Sequence, residues 1–342
     1  MFEIRAALPS DQEGLLELSQ YLNSVNLPHD SQTVAELLAL SDASFSGQLG
    51  NPRKHEYIFV ICEKATGRIV GTSMIIGQLG RRDAPYIYLD VDREERYSET
   101  LDKHFVHQIL TVRYSYNGPT EIGGLVVHPG YRRNPHRIGM LISYVRFLWI
   151  AMHRSLVQDE ILAELMPPLC DDGSSFLWEA VGRRFTDLTY RDADRLSKRN
   201  KEFIRNLFPR AGIYASLLSP EAQDVIGKVS PQTQGVEKLL RRIGFTYAER
   251  IDPFDGGPHF VAPTDKITLV KASRQLRLEV DANATHEHRA LIAVGYPAAP
   301  YFKAIPCMCS MDLPSNAITV AADVPAALEI NPGSEVWALL LG

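Results

Sequence analysis

Residues 125–142 read LVVHPGYRRNPHRIGMLI. An apolar strand ends at Pro129, a basic loop follows, and Gly139 opens an apolar helix. The first N–H groups of a helix have no partner inside the helix and carry a partial positive charge, so this junction favours an anion such as phosphate. Cationic donors for the same anion are supplied by Arg132, Arg133, His136 and Arg137. The alternative interpretation is a solvated loop that leads into a core helix.

The segments on either side of this junction alternate between short strands and helices. Strands are predicted at residues 57–61, 69–76, 123–127 and 161–165. A long helix is predicted from about Ile138, and two later helices at residues 174–182 and 236–244 each end at a glycine shortly before a phenylalanine. Both later helices are expected to continue into a strand. They form either a weak internal repeat or two ordinary helix–strand joins.

The character of the sequence changes after about Ser273. Short β-rich pieces, such as residues 276–280 and 335–339, are separated by Pro, Asn and Gly. This pattern is typical of a small β-barrel of about 70 residues, and no nucleophile–base arrangement is visible in it. We therefore expect two domains, residues 1–272 and residues 273–342, which agrees with a length of 342 residues.

Composition and charge argue against several classes of protein. Hydrophobic residues make up 45% of the chain and charged residues 23%, which is ordinary for a globular protein with a sizeable core. The net charge of −5 offers no basic excess to neutralise a phosphate backbone, so no nucleic-acid partner is expected. The most apolar stretch, residues 140–152, contains Arg146 and is too short to span a bilayer, so no membrane partner is expected.

The N-terminus and the cysteines indicate a cytoplasmic protein. Residues 1–5 show no basic region followed by an apolar run, so no secretory signal is visible. The four cysteines are expected to be reduced thiols, as in the cytosol. Only Cys307 and Cys309 are close together. One C-x-C pair without a second pair does not indicate zinc, so no metal is expected.

The junction of strand, proline, basic loop and apolar helix resembles the acyl-CoA-binding motif of the GNAT acyltransferases. In that family the strand backbone pairs with pantetheine, and the loop amides hold the CoA pyrophosphate. The resemblance implies that Leu125, Val126 and Val127 supply the pantetheine and oxyanion contacts, with an N–H donor facing the thioester oxygen. It also implies a CoA-binding loop made of Arg132, Arg133, His136, Arg137, Gly139 and Met140.

This loop departs from the usual pattern of that family, Arg/Gln-x-x-Gly-x-Gly/Ala. The three slots fall on Asn134, Arg137 and Gly139, and two of them differ. Arg137 replaces a glycine that permits close approach of the backbone to the pyrophosphate, while its charge adds a cation.

Longer segments are similar to the arginine N-succinyltransferases of bacterial arginine catabolism. They are residues 218–233 (LSPEAQDVIGKVSPQT), 251–258 (IDPFDGGP), 176–185 and 201–214, and the similarity covers essentially the whole chain. The resemblance implies an α+β fold, with a GNAT-like mixed, mostly antiparallel sheet flanked by helices and the barrel as an accessory domain. It implies transfer of succinyl from succinyl-CoA to the α-amino group of arginine, with ornithine as the other amine to consider. It also implies a homo-oligomer or a pairing with a homologous subunit.

One position departs from that family in a way that concerns the chemistry. The family's proton donor is the histidine of a Val-His-Pro segment, and this chain has Ser230 in Val229-Ser230-Pro231. A serine hydroxyl does not titrate near neutral pH as an imidazole does. Either another group transfers the proton, or the enzyme takes a different acyl-CoA or amine, or the chain is a catalytically silent CoA-binding subunit.

Several acidic, basic and histidine residues are candidates for the substrate site. A guanidinium substrate is best bound by carboxylates, and the candidates are Glu164, Asp171, Asp172 and Asp255. The alternative role of the loop aspartates is to cap turns. A succinyl carboxylate needs a cation, for which Arg183 or Arg184 is available, although a solvated helix end would also explain them. Among the histidines, His128, His153 and His259 are candidates for a catalytic role. His153 is expected to be structural, and His259 directly follows a Gly-Gly-Pro turn from which it could approach the site.

Overall fold

The computed structural model describes residues 2–22, 26–81, 85–197, 200–281 and 286–341. In chain order the strands are β1 (Phe2–Ala6), β2 (Glu56–Glu63), β3 (Ile69–Ile76), β4 (Tyr86–Ser98), β5 (Lys103–Ser115), β6 (Thr120–Val127), β7 (Glu160–Glu164), β8 (Ile213–Tyr214), β9 (Thr246–Ile251), β10 (Pro258–Pro263), β11 (Arg274–Val280), β12 (His288–Gly295), β13 (Phe302–Asp312), β14 (Ala317–Val320) and β15 (Glu335–Leu340). The helices are α1 (Gln12–Ser19), α2 (Ser31–Phe45), α3 (Ile138–Met152), α4 (Arg183–Thr186), α5 (Tyr190–Ser197), α6 (Glu202–Leu207), α7 (Pro220–Val225), α8 (Gln234–Arg242), α9 (Thr268–Ala272) and α10 (Asp323–Ala327). Within these residues, none of the helices combines the length and the apolar character needed to cross a membrane.

The chain divides into two compact units, of which the first consists of Met1–Gly77, Ile122–Gln158 and Thr264–Gly342. Its strands follow the order β12-β15-β11-β14-β13-β1-β2-β3-β6. β2 pairs antiparallel with β1 on one side and with β3 on the other, and β1 also pairs antiparallel with β13. The strands predicted at residues 57–61 and 69–76 are therefore confirmed as β2 and β3.

The two faces of β2 pack against different helices because side chains alternate along a strand. Ile58 and Val60 lie in a hydrophobic core together with residues of α1 and α2. On the opposite face, Tyr57 and Phe59 pack against Trp149 of α3, with ring centroids 4.1 Å and 6.1 Å apart. Burial of three aromatic rings in one contact anchors α3 to the sheet. The N-terminus of α3, where the basic loop ends, is thus held in a fixed position on this unit.

The last five strands close into a β-barrel. β12 pairs with β13 and β15, β15 with β11, β11 with β14, and β14 with β13, so each strand has a partner on both sides. The interior is filled by aliphatic side chains such as those of Leu276, Leu278, Ile292 and Val336. The barrel predicted from the sequence is confirmed. The domain boundary at residues 272 and 273 stays a prediction, since barrel strand β13 also pairs with β1.

The second unit consists of Gln78–Glu121 and Asp159–Pro263. Its strands follow the order β7-β10-β9-β4-β5-β8, and each neighbouring pair is antiparallel. The first residues of β6 pair in parallel with β7, through Thr120 with Ile161 and Glu121 with Leu162. Trp178 lies in the core of this unit and stacks on Phe254 with ring centroids 5.1 Å apart. The expected mixed, mostly antiparallel sheet flanked by helices is confirmed.

One predicted join between helix and strand is wrong. Residues 178–182 form a π-helical turn that runs into α4, and the helix ends only at Asp187, whose φ is +56°. Gly182 is not a helix stop. A Cβ there would lie 2.2 Å from the ring of Trp178, so the glycine is needed for close packing inside the helix. The next element is α5 and not a strand. The other join is as predicted, because α8 is followed by β9.

Candidate functional site

The basic junction, residues 128–140, follows the end of β6 in the first unit. Residues 129–131 form a 3-10 turn, and Nδ1 of His128 accepts the N–H of Gly130 at 3.1 Å. Asn134 orders the rest of the loop: its Oδ1 accepts the N–H of His136 and its carbonyl accepts the N–H of Arg137, both at 2.9 Å. All four basic side chains predicted to meet an anion are exposed, namely Arg132, Arg133, His136 and Arg137. The loop therefore presents cations to solvent immediately before a helix.

Arg137 precedes α3 in a left-handed conformation, with φ 55° and ψ 50°. Its carbonyl accepts the N–H groups of Met140 at 2.9 Å and Leu141 at 3.1 Å, so this conformation starts the helix. A residue with a Cβ is disfavoured in this region by roughly 1–2 kcal/mol, whereas glycine is not. Position 137 is the slot where the GNAT loop pattern has a glycine. The departure from the pattern thus occurs where the backbone itself favours glycine.

Two arginines take part in the structure of the loop. Arg132 donates its Nε to the carbonyl of Val127 at 3.1 Å. Arg289, on barrel strand β12, donates to the carbonyl of His136 at 3.0 Å. Sequence analysis did not identify Arg289, because β12 is distant along the chain. It adds a guanidinium next to the loop. Gly139 is exposed and Met140 half-buried, and the CoA-binding roles of the loop residues stay a prediction.

Leu125, Val126 and Val127 are the last residues of β6. They follow Gly124, whose φ of +57° interrupts the extended run and whose Cβ position would lie 2.8 Å from the side chain of Met74. Val126 is buried, and its carbonyl lies 3.0 Å from the position of a Cβ on Gly71. The carbonyl of Val127 already accepts Arg132. The predicted pantetheine and oxyanion contacts of these three residues are not tested by this geometry and stay a prediction.

His128 is part of a surface cluster in the first unit. Its Nε2 lies 3.3 Å from the guanidinium of Arg68 and 3.5 Å from the carboxylate of Glu17. Arg68 in turn donates to Glu17 at 2.6 Å. Since Nδ1 of His128 caps the following turn, both ring nitrogens are engaged in holding the start of the loop.

In the second unit, β7 and β10 bring a carboxylate and an imidazole together. Glu164 and His259 are direct partners in the antiparallel ladder, and Nε2 of His259 lies 3.4 Å from Oε1 of Glu164. Nδ1 of His259 lies 2.6 Å from the hydroxyl of Tyr86 on β4, and the two rings stack at 5.7 Å. The side chain of His259 is fully buried, whereas that of Glu164 is 30% exposed. Glu164 is thus the member of this chain of contacts that reaches solvent.

Two aspartates from the turn before β10 complete what we call the acidic cluster: Glu164, Asp252, Asp255 and His259. Oδ1 of Asp252 accepts the N–H of Phe254 at 2.7 Å, and Oδ1 of Asp255 accepts the N–H of Gly257 at 2.8 Å. Asp252 also accepts the N–H of Gly256 through its carbonyl at 2.9 Å. These bonds hold both carboxylates in a defined position beside β7 and β10.

Burial and mutual repulsion change the proton affinities of the acidic cluster. Burial raises the pKa of Glu164, and the ammonium of Lys201 opposes that change. Burial also raises the pKa of Asp252, helped by the charge of Glu164, and raises the pKa of Asp255 well above its ordinary value, helped by the charge of Asp252. Burial lowers the pKa of His259 to about 3, so its imidazole is neutral at pH 7. The cluster consequently favours a proton or a positive group.

The spacing of the acidic cluster admits a cation. One ligand atom from each of Glu164, Asp252 and His259 lies within 4.8 Å of the others. Carboxylates at such distances bind an ammonium or guanidinium group through charge-assisted hydrogen bonds. Lys201, with Nζ 5.9 Å from the centre of the Phe254 ring, already acts on the charges of Glu164 and Asp252. The chemistry available here is therefore to bind a positive group and to exchange a proton with it.

Ser230 lies on a segment that contacts the end of β7. Its N–H donates to the carbonyl of Met166 at 2.9 Å, and Met166 follows Glu164 by two residues. Its hydroxyl lies 3.0 Å from that of Thr233, and the residue is only 7% exposed. Position 230 is therefore near Glu164 along β7, but the serine itself is engaged in local hydrogen bonding. Its predicted catalytic role stays a prediction.

The remaining candidates from the sequence lie outside the acidic cluster. Asp171 and Asp172 are in an exposed turn, where Oδ1 of Asp172 accepts the N–H of Ser174 at 2.9 Å. Arg183 forms an ion pair with Glu179 at 2.8 Å on the surface of the helix. Arg184 lines a separate cavity of about 420 Å³ with mostly apolar residues. His153 stacks on Trp149 with ring centroids 4.5 Å apart, which agrees with its expected structural role.

Three residues that belong to the acidic cluster or act on it were not predicted from the sequence. Asp252 stands in the quoted segment 251–258, but an aspartate before a turn is most often a cap, and its Oδ1 does cap this turn. Tyr86 and Lys201 join the site only through the pairing of strands and the packing of loops that are far apart in the chain. The segment 251–258 was the one available signal, because it carries two aspartates within four residues.

Comparisons with known proteins agree with each other. A family model described as "Arginine N-succinyltransferase beta subunit" matches residues 2–269. The arginine N-succinyltransferase subunit beta of Pseudomonas aeruginosa is 33% identical over 280 residues, covering 81% of this chain and 81% of that protein. The arginine N-succinyltransferase of Photorhabdus laumondii subsp. laumondii is 30% identical over 339 residues, covering 98% and 97%. The solved structure of arginine/ornithine succinyltransferase subunit AI from Pseudomonas aeruginosa superposes with a TM-score of 0.84 at 25% identity, covering 100% and 99%.

Proposed function

The chain belongs to the arginine N-succinyltransferase family, and from that premise we propose that it transfers a succinyl group from succinyl-CoA to the α-amino group of arginine. The single observation that carries the proposal is the match over almost the full length of both chains, in sequence and in fold. The proposed setting is arginine catabolism in the cytoplasm.

The resemblance drawn from residues 218–233 and 251–258 is confirmed by these matches, and so is the enzyme class, an acyltransferase. The GNAT-like fold class is confirmed as well. Direct attack of an amine on a thioester requires a binding site for CoA, an N–H donor for the thioester oxygen, and two proton transfers. None of these steps calls for a metal ion, and the proposal includes none.

The basic junction supports acyl-CoA as the co-substrate. Three exposed arginines and the exposed His136 stand immediately before the N-terminus of α3, an arrangement that favours a phosphate or pyrophosphate group. We assign the CoA phosphates to this loop, with Arg132, Arg133, His136 and Arg137 as donors. The end of β6, at Leu125, Val126 and Val127, is proposed as the pantetheine-binding edge, and Gly139 and Met140 as the start of the helix beneath the pyrophosphate.

The acidic cluster supports a basic amino acid as the acceptor. A guanidinium and an α-ammonium both need carboxylate partners, and this cluster holds Glu164 and Asp255 with Asp252 beside them. Of the carboxylates proposed from the sequence, Asp171 has the weakest support because it lies in an exposed turn. Ornithine, which the name of one structural relative includes, is the second amine to compare.

The test is a steady-state assay of CoA release, with thiol titration, over several acyl-CoAs and amines. The protein is produced in a host without its own member of the family. We expect the highest kcat/KM with succinyl-CoA and arginine. A higher kcat/KM with another acyl-CoA or amine would replace the proposed substrates, and no turnover with any pair would contradict an enzymatic role.

A second candidate function is favoured by two departures from the resemblance. Ser230 stands where a histidine is expected, and Arg137 stands where the loop pattern has a glycine. Under this alternative the chain takes a different acyl-CoA or amine, or is a catalytically silent partner that binds CoA. Two relatives are named as subunits, which supports assembly as a homo-oligomer or with a homologous chain. The chain would be identified as a silent partner if it binds CoA but shows no turnover alone, and if turnover appears only when it is mixed with an active homologue.

We propose that the barrel, residues 273–342, is an accessory domain that serves folding or assembly. Its strand β13 pairs with β1, through Ile4 with Ala304 and Arg5 with Lys303. A chain ending near Ser273 would leave that edge of β1 exposed, and we expect it to be poorly soluble or inactive. A truncated chain that stays soluble, monodisperse and fully active would show that the barrel is dispensable.

A further inference from the structure

The reaction needs a group that accepts a proton from the attacking amine, and Ser230 does not titrate in the working range of pH. The acidic cluster offers other groups close to that position. The N–H of Ser230 bonds to Met166, two residues beyond Glu164 on the same stretch of chain. The segment where the proton donor of the family is expected therefore bonds to the chain two residues beyond Glu164.

Exposure separates the carboxylates of the acidic cluster, which are half-buried, from the buried His259. Asp252 and Asp255 each accept an N–H within their own turn, whereas Glu164 faces Nε2 of His259. His259 is fully buried and Glu164 is 30% exposed. A group that takes a proton from a substrate and later returns it to water must reach both. Glu164 meets that condition and His259 does not. His259 is placed to act on Glu164 and not on the substrate.

The partners of His259 explain how it acts on Glu164. Its Nδ1 is engaged by the hydroxyl of Tyr86 at 2.6 Å. Its Nε2 is buried and forms no hydrogen bond with the residues that the structure describes, yet it is 3.4 Å from Oε1 of Glu164. Catalytic hydrogen bonds are often long before the substrate arrives and shorten in the complex. The imidazole is thus aimed at the carboxylate with one nitrogen still available.

We infer that Glu164 is the catalytic base that accepts a proton from the attacking amine, with His259 and Tyr86 as positioning residues behind it. The inference rests on the proposed acyl transfer to a primary amine. It assigns the proton step to β7 and leaves position 230 without a titrating role.

The Glu164 carboxylate takes one proton from the substrate ammonium, which leaves a neutral amine. The nitrogen lone pair forms a bond to the thioester carbonyl carbon, the carbon–sulfur bond breaks, and its electron pair goes to sulfur. The second proton lost by the nitrogen goes to the thiolate, giving CoA and an amide. Glu164 then returns its proton to water, so one proton is released per turnover.

Several charged groups set the pH at which Glu164 is ionised. The titratable and charged groups that act on Glu164 or on its partners come from the neighbouring elements and are Tyr86, Tyr88, Glu121, Asp194, Lys201, Arg250, Asp252, Asp255 and His259. Burial raises the pKa of Glu164, and Lys201 lowers it. A base acts only when ionised, so activity should rise with pH along a limb that lies above the ordinary carboxyl range.

The experiment measures kcat and KM for the amine against pH in the full chain and in Glu164→Gln. We expect kcat to fall by about 10²–10⁴-fold and the acidic limb to disappear, with any rise in the KM for the amine smaller than the fall in kcat. Glu164→Asp should recover part of kcat with the limb present. The control is Glu221→Gln, which removes an exposed carboxylate on α7 and should leave both kcat and the limb unchanged.

Two further variants make the test independent of how well Glu164→Gln folds. Lys201→Met should move the acidic limb to higher pH, because it removes the cation that lowers the Glu164 pKa. Tyr86→Phe should lower kcat and leave the KM for acyl-CoA unchanged.

An acidic limb that persists in Glu164→Gln, or a rise in the KM for the amine without a fall in kcat, would overturn the inference. If another acyl-CoA and amine pair proves to be the substrate, the proposed function fails while this test proceeds with that pair; no turnover with any pair overturns both.

Discussion

The basic junction and the acidic cluster are built in opposite ways. In the basic junction Arg132, Arg133, His136 and Arg137 are exposed, and Arg132 makes a local contact with the carbonyl of Val127. In the acidic cluster, His259 is fully buried and touches both Tyr86 and Glu164, while Asp252 and Asp255 are tied into one turn. Exposed charges interact weakly through solvent, whereas buried ones depend strongly on their partners. Changes in the junction should therefore act on ligand affinity, and changes in the cluster on folding and catalysis together.

The largest effect on folding is expected from His259→Ala. The substitution creates a cavity and leaves the buried Tyr86 hydroxyl without its partner, so the free energy of unfolding should fall by about 2–5 kcal/mol. The comparison variant is His136→Ala in the basic junction, where the residue is exposed and its ring contacts that of Phe2 edge-to-face at 5.4 Å, so the loss should be about 0.5–1.5 kcal/mol. Chemical denaturation followed by tryptophan fluorescence measures both. Similar losses in the two variants would contradict the contrast between the two regions.

The next effect concerns CoA affinity and the basic junction. Arg133→Glu should raise the Kd for CoA by about 10-fold to 100-fold, since a charge-assisted hydrogen bond contributes about 1.5–3 kcal/mol. Arg132→Glu should also lower the melting temperature, because it breaks the bond to the Val127 carbonyl. Arg183→Glu is the control, with the same change in net charge on α4 of the second unit. Calorimetry with CoA, which carries no succinyl group, gives the three Kd values. An equal loss in the control would show that only overall charge matters.

A smaller effect is expected at position 230. Ser230→Ala removes one hydroxyl contact to Thr233 and should cost about 1 kcal/mol of stability, with kcat nearly unchanged. Ser230→His inserts a larger ring at a residue that is 7% exposed, so it should cost about 1–3 kcal/mol and add no new limb to the pH profile. Both variants are measured across pH with succinyl-CoA and arginine. A gain in kcat from the histidine would return the proton step to position 230 and away from Glu164.

The same contrast explains what the sequence could predict. The basic junction is continuous in the chain, so a strand end, a proline and a helix start at Ile138 were visible locally. The barrel was visible for the same reason, through its short β-rich pieces. The acidic cluster is assembled from β7, β10 and the turn before β10, and its partner Tyr86 lies on β4. The pairing of Glu164 with His259 has no local signature in the sequence. The sequence predicts Glu164 and Asp255 as substrate-binding carboxylates. Their proximity to Tyr86 and Lys201 depends on strand order and loop packing, which have no local signal.

Glycine at position 182 shows a second limit of local patterns. A glycine near a helix end usually marks a left-handed stop, but Gly182 is required because a Cβ would meet the Trp178 ring. The left-handed stop is instead Asp187, a residue type that tolerates this conformation. The packing of the Trp178 ring therefore explains why position 182 is glycine. The sequence alone does not show which side chain will lie next to a glycine.

The smallest expected effect separates charge from backbone strain at Arg137. Its φ of 55° and ψ of 50° disfavour any residue with a Cβ by roughly 1–2 kcal/mol. Glycine avoids this strain, but it loses more conformational freedom on folding, which cancels part of the stabilisation. Arg137→Gly should therefore raise the free energy of unfolding by about 0.5–1 kcal/mol. Arg137→Ala keeps the strained conformation and removes the same charge, so it should not stabilise the protein. If the loop binds pyrophosphate through its backbone, the glycine variant should also bind CoA more tightly than the alanine variant. Thermal unfolding and CoA titration of the pair decide between the two roles. Equal stability and equal affinity would mean that position 137 acts through its charge alone, and that the departure from the glycine pattern carries no strain.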